Sequence, residues 1–200
     1  SKPLSSGHYD SPRRFLLTGC GSGMGRQITG TLLREGHRVC CTDVNEEALS
    51  RAKEEEGWDP ERVLLHRLDV RSPEQWDTVL EAVRNAWGGL DTMINFAGLV
   101  IPCSAQEVTV RMIDAHVDVM TKGVMHGTVA TAKQFLSQTD LPHGGHIVNI
   151  SSLGAVAPVQ GVSLYQGAKA GMRTFSLAAA KDLAPHNVHV SVLMPDAVQT

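Results

Sequence analysis

The stretch Phe15-Leu16-Leu17-Thr18-Gly19-Cys20-Gly21-Ser22-Gly23-Met24-Gly25 decides the fold. Its apolar start suits a short strand. Glycines then interrupt the run, and Gly23 to Glu35 reads as a helix. A strand that passes into a helix through glycines leaves backbone N–H groups open to an anion. The positive end of the helix behind them favours negative charge. Tight connections also use glycine, but the strand before and the helix after favour a phosphate-binding turn.

The same alternation continues outward from this stretch. Arg38 to Thr42 reads as a second strand, Glu46 to Glu56 as a charged helix, and Val63-Leu64-Leu65 as the start of a third strand. Ser72 and Pro73 are an N-cap and a first helical residue, and that helix runs to Trp87 before Gly88-Gly89. Thr92 to Asn95 is a fourth strand, Val108 to Gln138 a long helical stretch in one or two pieces, and His146 to Ile150 a fifth strand. Ser163 to Leu183 is a helix and Val188 to Leu193 a sixth strand. Repeated βα units with short connections predict an α/β fold: a doubly wound parallel sheet with helices on both faces. Residues 13–200 read as one domain, and 1–12, polar and without periodicity, as a flexible extension.

The chain has 200 residues, 42% of them hydrophobic and 20% charged, enough for one sizeable core. A net charge of −3 gives no reason to expect nucleic acid or an anionic membrane as partner. No apolar run approaches a membrane span, and the N-terminus lacks a signal-peptide pattern. Cys20, Cys40, Cys41 and Cys103 show no CxxC spacing and read as reduced, mostly buried thiols of a cytoplasmic protein. His143 and His146 have no Cys or acidic partner at ligand spacing, so no metal site is expected.

Asp43 closes the second strand about twenty residues past the glycines, where a carboxylate accepts from ribose hydroxyls and repels the 2′-phosphate of NADP. Tyr165 and Lys169 stand four apart on a predicted helix and share a face. A free phenol ionises near ~10; an ammonium beside it favours the phenolate, and a phenol so placed can exchange a proton with an alcohol or carbonyl oxygen. Ser152 lies just after the fifth strand, in Asn149-Ile150-Ser151-Ser152. Its hydroxyl can hydrogen-bond the same oxygen.

The TGxxxGxG spacing of Gly19, Gly23 and Gly25, the Ser152-to-Tyr165 spacing and Tyr165-Gln166-Gly167-Ala168-Lys169 together resemble the short-chain dehydrogenase/reductase family. The resemblance runs from about Arg13 to Thr200 and implies a Rossmann-type NAD-binding and catalytic domain. By position it implies that Gly19, Ser22, Gly23, Met24 and Gly25 form the pyrophosphate turn. Asp69 and Val70 would lie against the adenine. Asn95, Ala97 and Gly98, with Phe96 at a position where relatives carry Asn, would bend the backbone beside the cofactor. Pro195, Val198 and Thr200 would lie along the nicotinamide. Ser152 would orient and polarise the substrate oxygen, Tyr165 would act as general acid/base, and Lys169 would tune Tyr165 and hold the nicotinamide ribose; Ser151 is one residue out of register. Ser22 stands where NADP-preferring relatives often carry a basic residue, so it and Asp43 favour NAD over NADP; Arg26 and Arg38 could blunt that preference.

The expected reaction is hydride transfer between NAD(H) and a secondary alcohol or ketone. Apolar Leu99 to Pro102 and Leu153 to Val162, expected to flank the site, suit a hydrophobic substrate. Met120 replaces an Asn that helps many relatives hold a water near the lysine, and Asp196 replaces the Gly of PGxVxT. These departures leave an alternative: a catalytically weak nucleotide-binding or regulatory protein of the same fold. Relatives usually continue with a substrate-covering helix-loop and a seventh strand, which implies that a C-terminal part is missing or the fold shortened. The resemblance also implies a homo-oligomer, a dimer or tetramer, pairing the helices at Val110–Gln138 and Ser163–Leu183.

Overall fold

Arg14–Thr18 (β1) is buried on both sides. Phe15 and Leu17 face one core, Leu16 the other. The same parity splits the neighbouring cysteines of Arg38–Asp43 (β2): Cys41 joins Phe15 and Leu17, and Cys40 joins Leu16. Burial on both faces is why these strands read as continuous apolar runs. The computed structural model describes residues 11–141 and 143–196. Its remaining strands are Val63–Arg67 (β3), Thr92–Asn95 (β4), Gly145–Ile150 (β5) and Val188–Leu193 (β6). All pair in parallel, in the order β3-β2-β1-β4-β5-β6.

Helices cover the two faces. Gly23–Arg34 (α1) and Glu46–Glu56 (α2) place Leu33, Leu49 and Ala52 on the core of Phe15 and Leu17. Pro73–Trp87 (α3) places Trp76, Val79 and Val83 on the other core, with Leu16, Met93 and Ile147. Local chemistry sets the helix ends. The Asn45 side chain accepts from the Ala48 N–H, and Ser72 from Gln75; Gly57 and Gly88 end their helices in the left-handed region.

The predicted long helix is one helical path of three parts. Val110–Val117 (α4) runs into a wider π-helical segment, Asp118–Lys122, and on into Gly123–Ser137 (α5). Single π turns of this kind are frequent at functional sites. Ser163–Leu183 (α6) packs beside it and against β6.

A buried amide network ties these layers together. Asn149 of β5 donates to Thr128 on α5 (3.1 Å) and Ser176 on α6 (2.8 Å), and accepts from Asn95 of β4 (2.8 Å). Gly127 lets α5 come this close, since a Cβ there would stand 2.4 Å from Asn95 Oδ1. The strand order reverses between β1 and β4, which is where open α/β sheets leave a crevice beyond the carboxyl ends of the strands. Among the described residues no helix is long and apolar enough to cross a membrane, and no group of His, Cys, Asp or Glu is arranged to hold a metal.

Candidate active site

A cleft of about 600 Å³ opens at this crevice. It brings together Gly19, Ser22, Gly23, Met24, Gly25, Asp43, Asp69, Val70, Ala97, Gly98, Ser152, Tyr165, Lys169 and Pro195. Asn95 is not brought there. Its amide is buried and donates to Asn149 behind the cleft, while Ala97 and Gly98, which follow it, line the cleft. Val198 and Thr200 lie outside the described residues.

The glycine turn is closed by backbone contact. Gly19 takes φ +75°, and a Cβ on Gly25 would stand 2.1 Å from the Gly19 carbonyl oxygen. Ser22 is the N-cap of α1 yet makes no side-chain cap bond. The first-turn N–H groups, which have no partner within a helix, therefore remain for an anion. Uncapped donors at the wall of a cleft fit a pyrophosphate.

Asp43 is held at the rim by two backbone donors, Gly21 N–H to Oδ2 and Asn45 N–H to Oδ1, both at 3.0 Å. Neither arginine of concern approaches it. Arg26 is engaged by Glu55 and Glu56, each at 2.8 Å, and Arg38 begins β2 at the opposite end of the strand.

At the other end of the cleft, the Ser152 hydroxyl oxygen accepts from Gly154 N–H at 3.2 Å. Ser151 is turned away: its hydroxyl donates to the Lys169 carbonyl at 3.0 Å. Lys169 Nζ donates to the Ile150 carbonyl at 2.5 Å and lies 5.8 Å from the centroid of the Tyr165 ring. The lysine is 5% exposed and forms no ion pair among the described residues. Burial without a counter-charge lowers its pKa from 10.5 to about 8. The fully buried Met120 stands on the same wall. A Cβ on Gly98 would lie 3.6 Å from the Met120 sulfur and 3.8 Å from Lys169 Nζ.

At the mouth Leu99 and the exposed Val100 line the cleft, and exposed Ile101, Leu153 and Met194 adjoin lining residues in the chain. Its two loops are joined by the Cys103 N–H, which donates to Gly161 at 2.9 Å. The Ile101 N–H donates to Nε2 of the buried His116 at 3.3 Å.

Sequence reasoning missed three side chains. Thr18 accepts at one oxygen from the Phe96 and Ala97 N–H groups, both at 2.9 Å, and so joins the β1 turn to the β4 turn. Arg71 lines the cleft and forks onto Asp69. His116 anchors the mouth loop. Thr18 had a signal, as the hydroxyl residue next to the glycines, and so had Arg71, two residues after Asp69; His116 depends on how the chain folds back.

Comparison with known proteins places this geometry. The family model described as short chain dehydrogenase matches residues 13–200. A Staphylococcus aureus (strain USA300) protein named an uncharacterized oxidoreductase is 29% identical over 185 residues, which cover 92% of this chain and 78% of the relative. The NADP-dependent 3-hydroxy acid dehydrogenase YdfG of Escherichia coli is 29% identical over 184 residues, 92% of this chain and 71% of its own. A short chain dehydrogenase from Mycobacterium smegmatis superposes with a TM-score of 0.85 at 26% identity, covering 94% of this chain and 77% of that one. One from Streptomyces avermitilis superposes with a TM-score of 0.84 at 29% identity, covering 95% and 68%. With the Rossmann-type sheet, the glycine turn and the matched span agreeing, the chain belongs to the short-chain dehydrogenase family of oxidoreductases.

Proposed function

We propose that this chain is an NAD(H)-dependent dehydrogenase/reductase that interconverts a secondary alcohol and a ketone with a hydrophobic body. The carrying observation is that Ser152, Tyr165 and Lys169 meet in one cleft with the glycine turn. When bound, the dinucleotide supplies or accepts the hydride. The turn Gly19, Ser22, Gly23, Met24 and Gly25 holds the pyrophosphate, and Asp43 accepts from the adenosine ribose. Ser152 donates its hydroxyl to the substrate oxygen and holds it beside Tyr165. The Tyr165 oxygen gives that oxygen its proton in reduction and takes it in oxidation. Lys169 keeps a cation at the tyrosine face and offers its remaining N–H donors to the nicotinamide ribose. The apolar rim supports a hydrophobic substrate, and free, mostly buried cysteines go with a cytoplasmic location.

The test is Tyr165→Phe. Turnover should fall by about 10²–10⁴-fold with NADH affinity kept; a near wild-type rate would sink the assignment. NAD is proposed over NADP because a carboxylate at Asp43 repels a 2′-phosphate, although Arg67 is its cross-strand partner on β3 and the Escherichia coli relative is NADP-dependent by name. NADH should therefore bind more tightly than NADPH, and the reverse order would overturn this preference. Met120 favours a second reading, a catalytically weak nucleotide-binding protein, because its thioether shares the surroundings of Gly98 with the lysine, and a thioether is a poor partner for proton exchange. Turnover above background with any alcohol or ketone of a broad panel excludes it.

A further inference from the structure

We infer that Arg71 sets the purine selectivity of the nucleotide cleft by filling the acceptor positions of Asp69, so that the 6-amino group of adenine goes largely unread. The inference rests on the nucleotide reading above. With the pyrophosphate at the glycine turn and the ribose at Asp43, the base falls against the end of the cleft formed by Val44, Leu68, Asp69, Val70 and Arg71.

On that wall the one carboxylate beyond Asp43 is Asp69, and both of its oxygens are taken. The Arg71 backbone N–H donates to Oδ1 at 3.0 Å, Nε to Oδ1 at 2.8 Å and to Oδ2 at 3.1 Å, and Nη2 to Oδ2 at 2.5 Å. A forked guanidinium–carboxylate pair is strong and directional. The Asp69 backbone N–H is occupied as well, donating to Gln75 at 2.8 Å. The wall thus presents a neutralised, donor-saturated carboxylate and the guanidinium that saturates it.

Adenine carries an amino donor at position 6, whereas hypoxanthine carries a carbonyl acceptor there. A free carboxylate would favour the first and repel the second; a carboxylate covered by Arg71 has little to offer either. Removing the Arg71 side chain leaves the backbone bond to Oδ1 in place and frees Oδ2.

The experiment measures the dissociation constants of NADH and of its hypoxanthine analogue by fluorescence, for wild type, Arg71→Leu and the double variant Arg71→Leu/Asp69→Asn. The analogue-to-NADH ratio should rise about tenfold or more from wild type to Arg71→Leu, the size of one hydrogen bond to a charged acceptor. It should return towards the wild-type value in the double variant. An equal ratio in wild type and Arg71→Leu, or a rise that survives in the double variant, overturns the inference alone. A wild type that binds neither dinucleotide overturns the nucleotide reading, and this inference with it.

Discussion

Two residue types carry their predictions in their surroundings. Lys169 is enclosed with its ammonium on the Ile150 carbonyl and no ion pair among the described residues, and burial lowers its pKa to about 8. For a cation, a folded pKa below the unfolded one means that the folded chain holds fewer protons between the two. Stability contributed by this group therefore rises as pH climbs from about 8 towards 10.5 and is level outside that window. The separation amounts to about 3 kcal/mol. Urea midpoints measured across that range should climb in wild type relative to Lys169→Met, and parallel profiles would contradict the assignment. The cysteines give a second prediction. Cys20, Cys40 and Cys41 are fully buried, and burial pushes the Cys40 and Cys41 thiols well above their ordinary range. Thiolate is the reactive form, so Ellman's reagent should titrate Cys103 alone in the native protein and all four thiols after denaturation. Rapid reaction of a second native thiol would show that the sheet opens at β2 or that the glycine turn opens at Cys20.

Between elements, the network centred on Asn149 does what the strands cannot do for themselves: it fixes α5 and α6 against β4 and β5. Asn149→Leu would leave Asn95, Thr128 and Ser176 with unmet hydrogen bonds in a dry interior, at about 3 kcal/mol. A urea midpoint unchanged from wild type would mean that the network is ornamental. The same network shows why some of the site was legible in the sequence and some was not. The glycine turn, Pro73 behind its Ser72 cap, Gly88 and the Tyr165–Lys169 pair act on near neighbours in the chain, so spacing alone locates them. Asn95 meets Asn149 across 54 residues. Nothing local shows that the Asn95 amide turns into the core, or that Gly127 on α5 leaves the room beside it. Met120 was recognisable as a departure, but its place near Gly98 belongs to the π-helical segment, which spacing does not show.

For the whole molecule, the doubly wound sheet followed from the order of apolar runs, because each run is short, continuous and separated by a helix. What the runs could not reveal is which outer faces stay uncovered. Val110 and Ile113 on α4, Val129 and Leu136 on α5, and Leu177 on α6 are all exposed. Val129 and Leu136, two turns apart, share one side of α5. Gly167, Gly171 and Ala178 recur along the exposed side of α6, where small residues allow another helix to approach closely. Solvated helices carrying large apolar residues on the same outer layer suit an isologous contact between two copies. The chain is therefore expected to sediment at twice the mass of one copy or more, and Leu136→Glu with Leu177→Lys should shift it to one copy while leaving NADH affinity within about twofold, because neither residue reaches the cleft. Should wild type sediment as a single copy at every concentration, these helix faces are surface and the site is complete in one chain. If instead the double substitution dissociates the assembly and abolishes NADH binding, the cleft depends on the assembly, and pairing of α5 and α6 across copies holds β5 and the Ser152 turn in place.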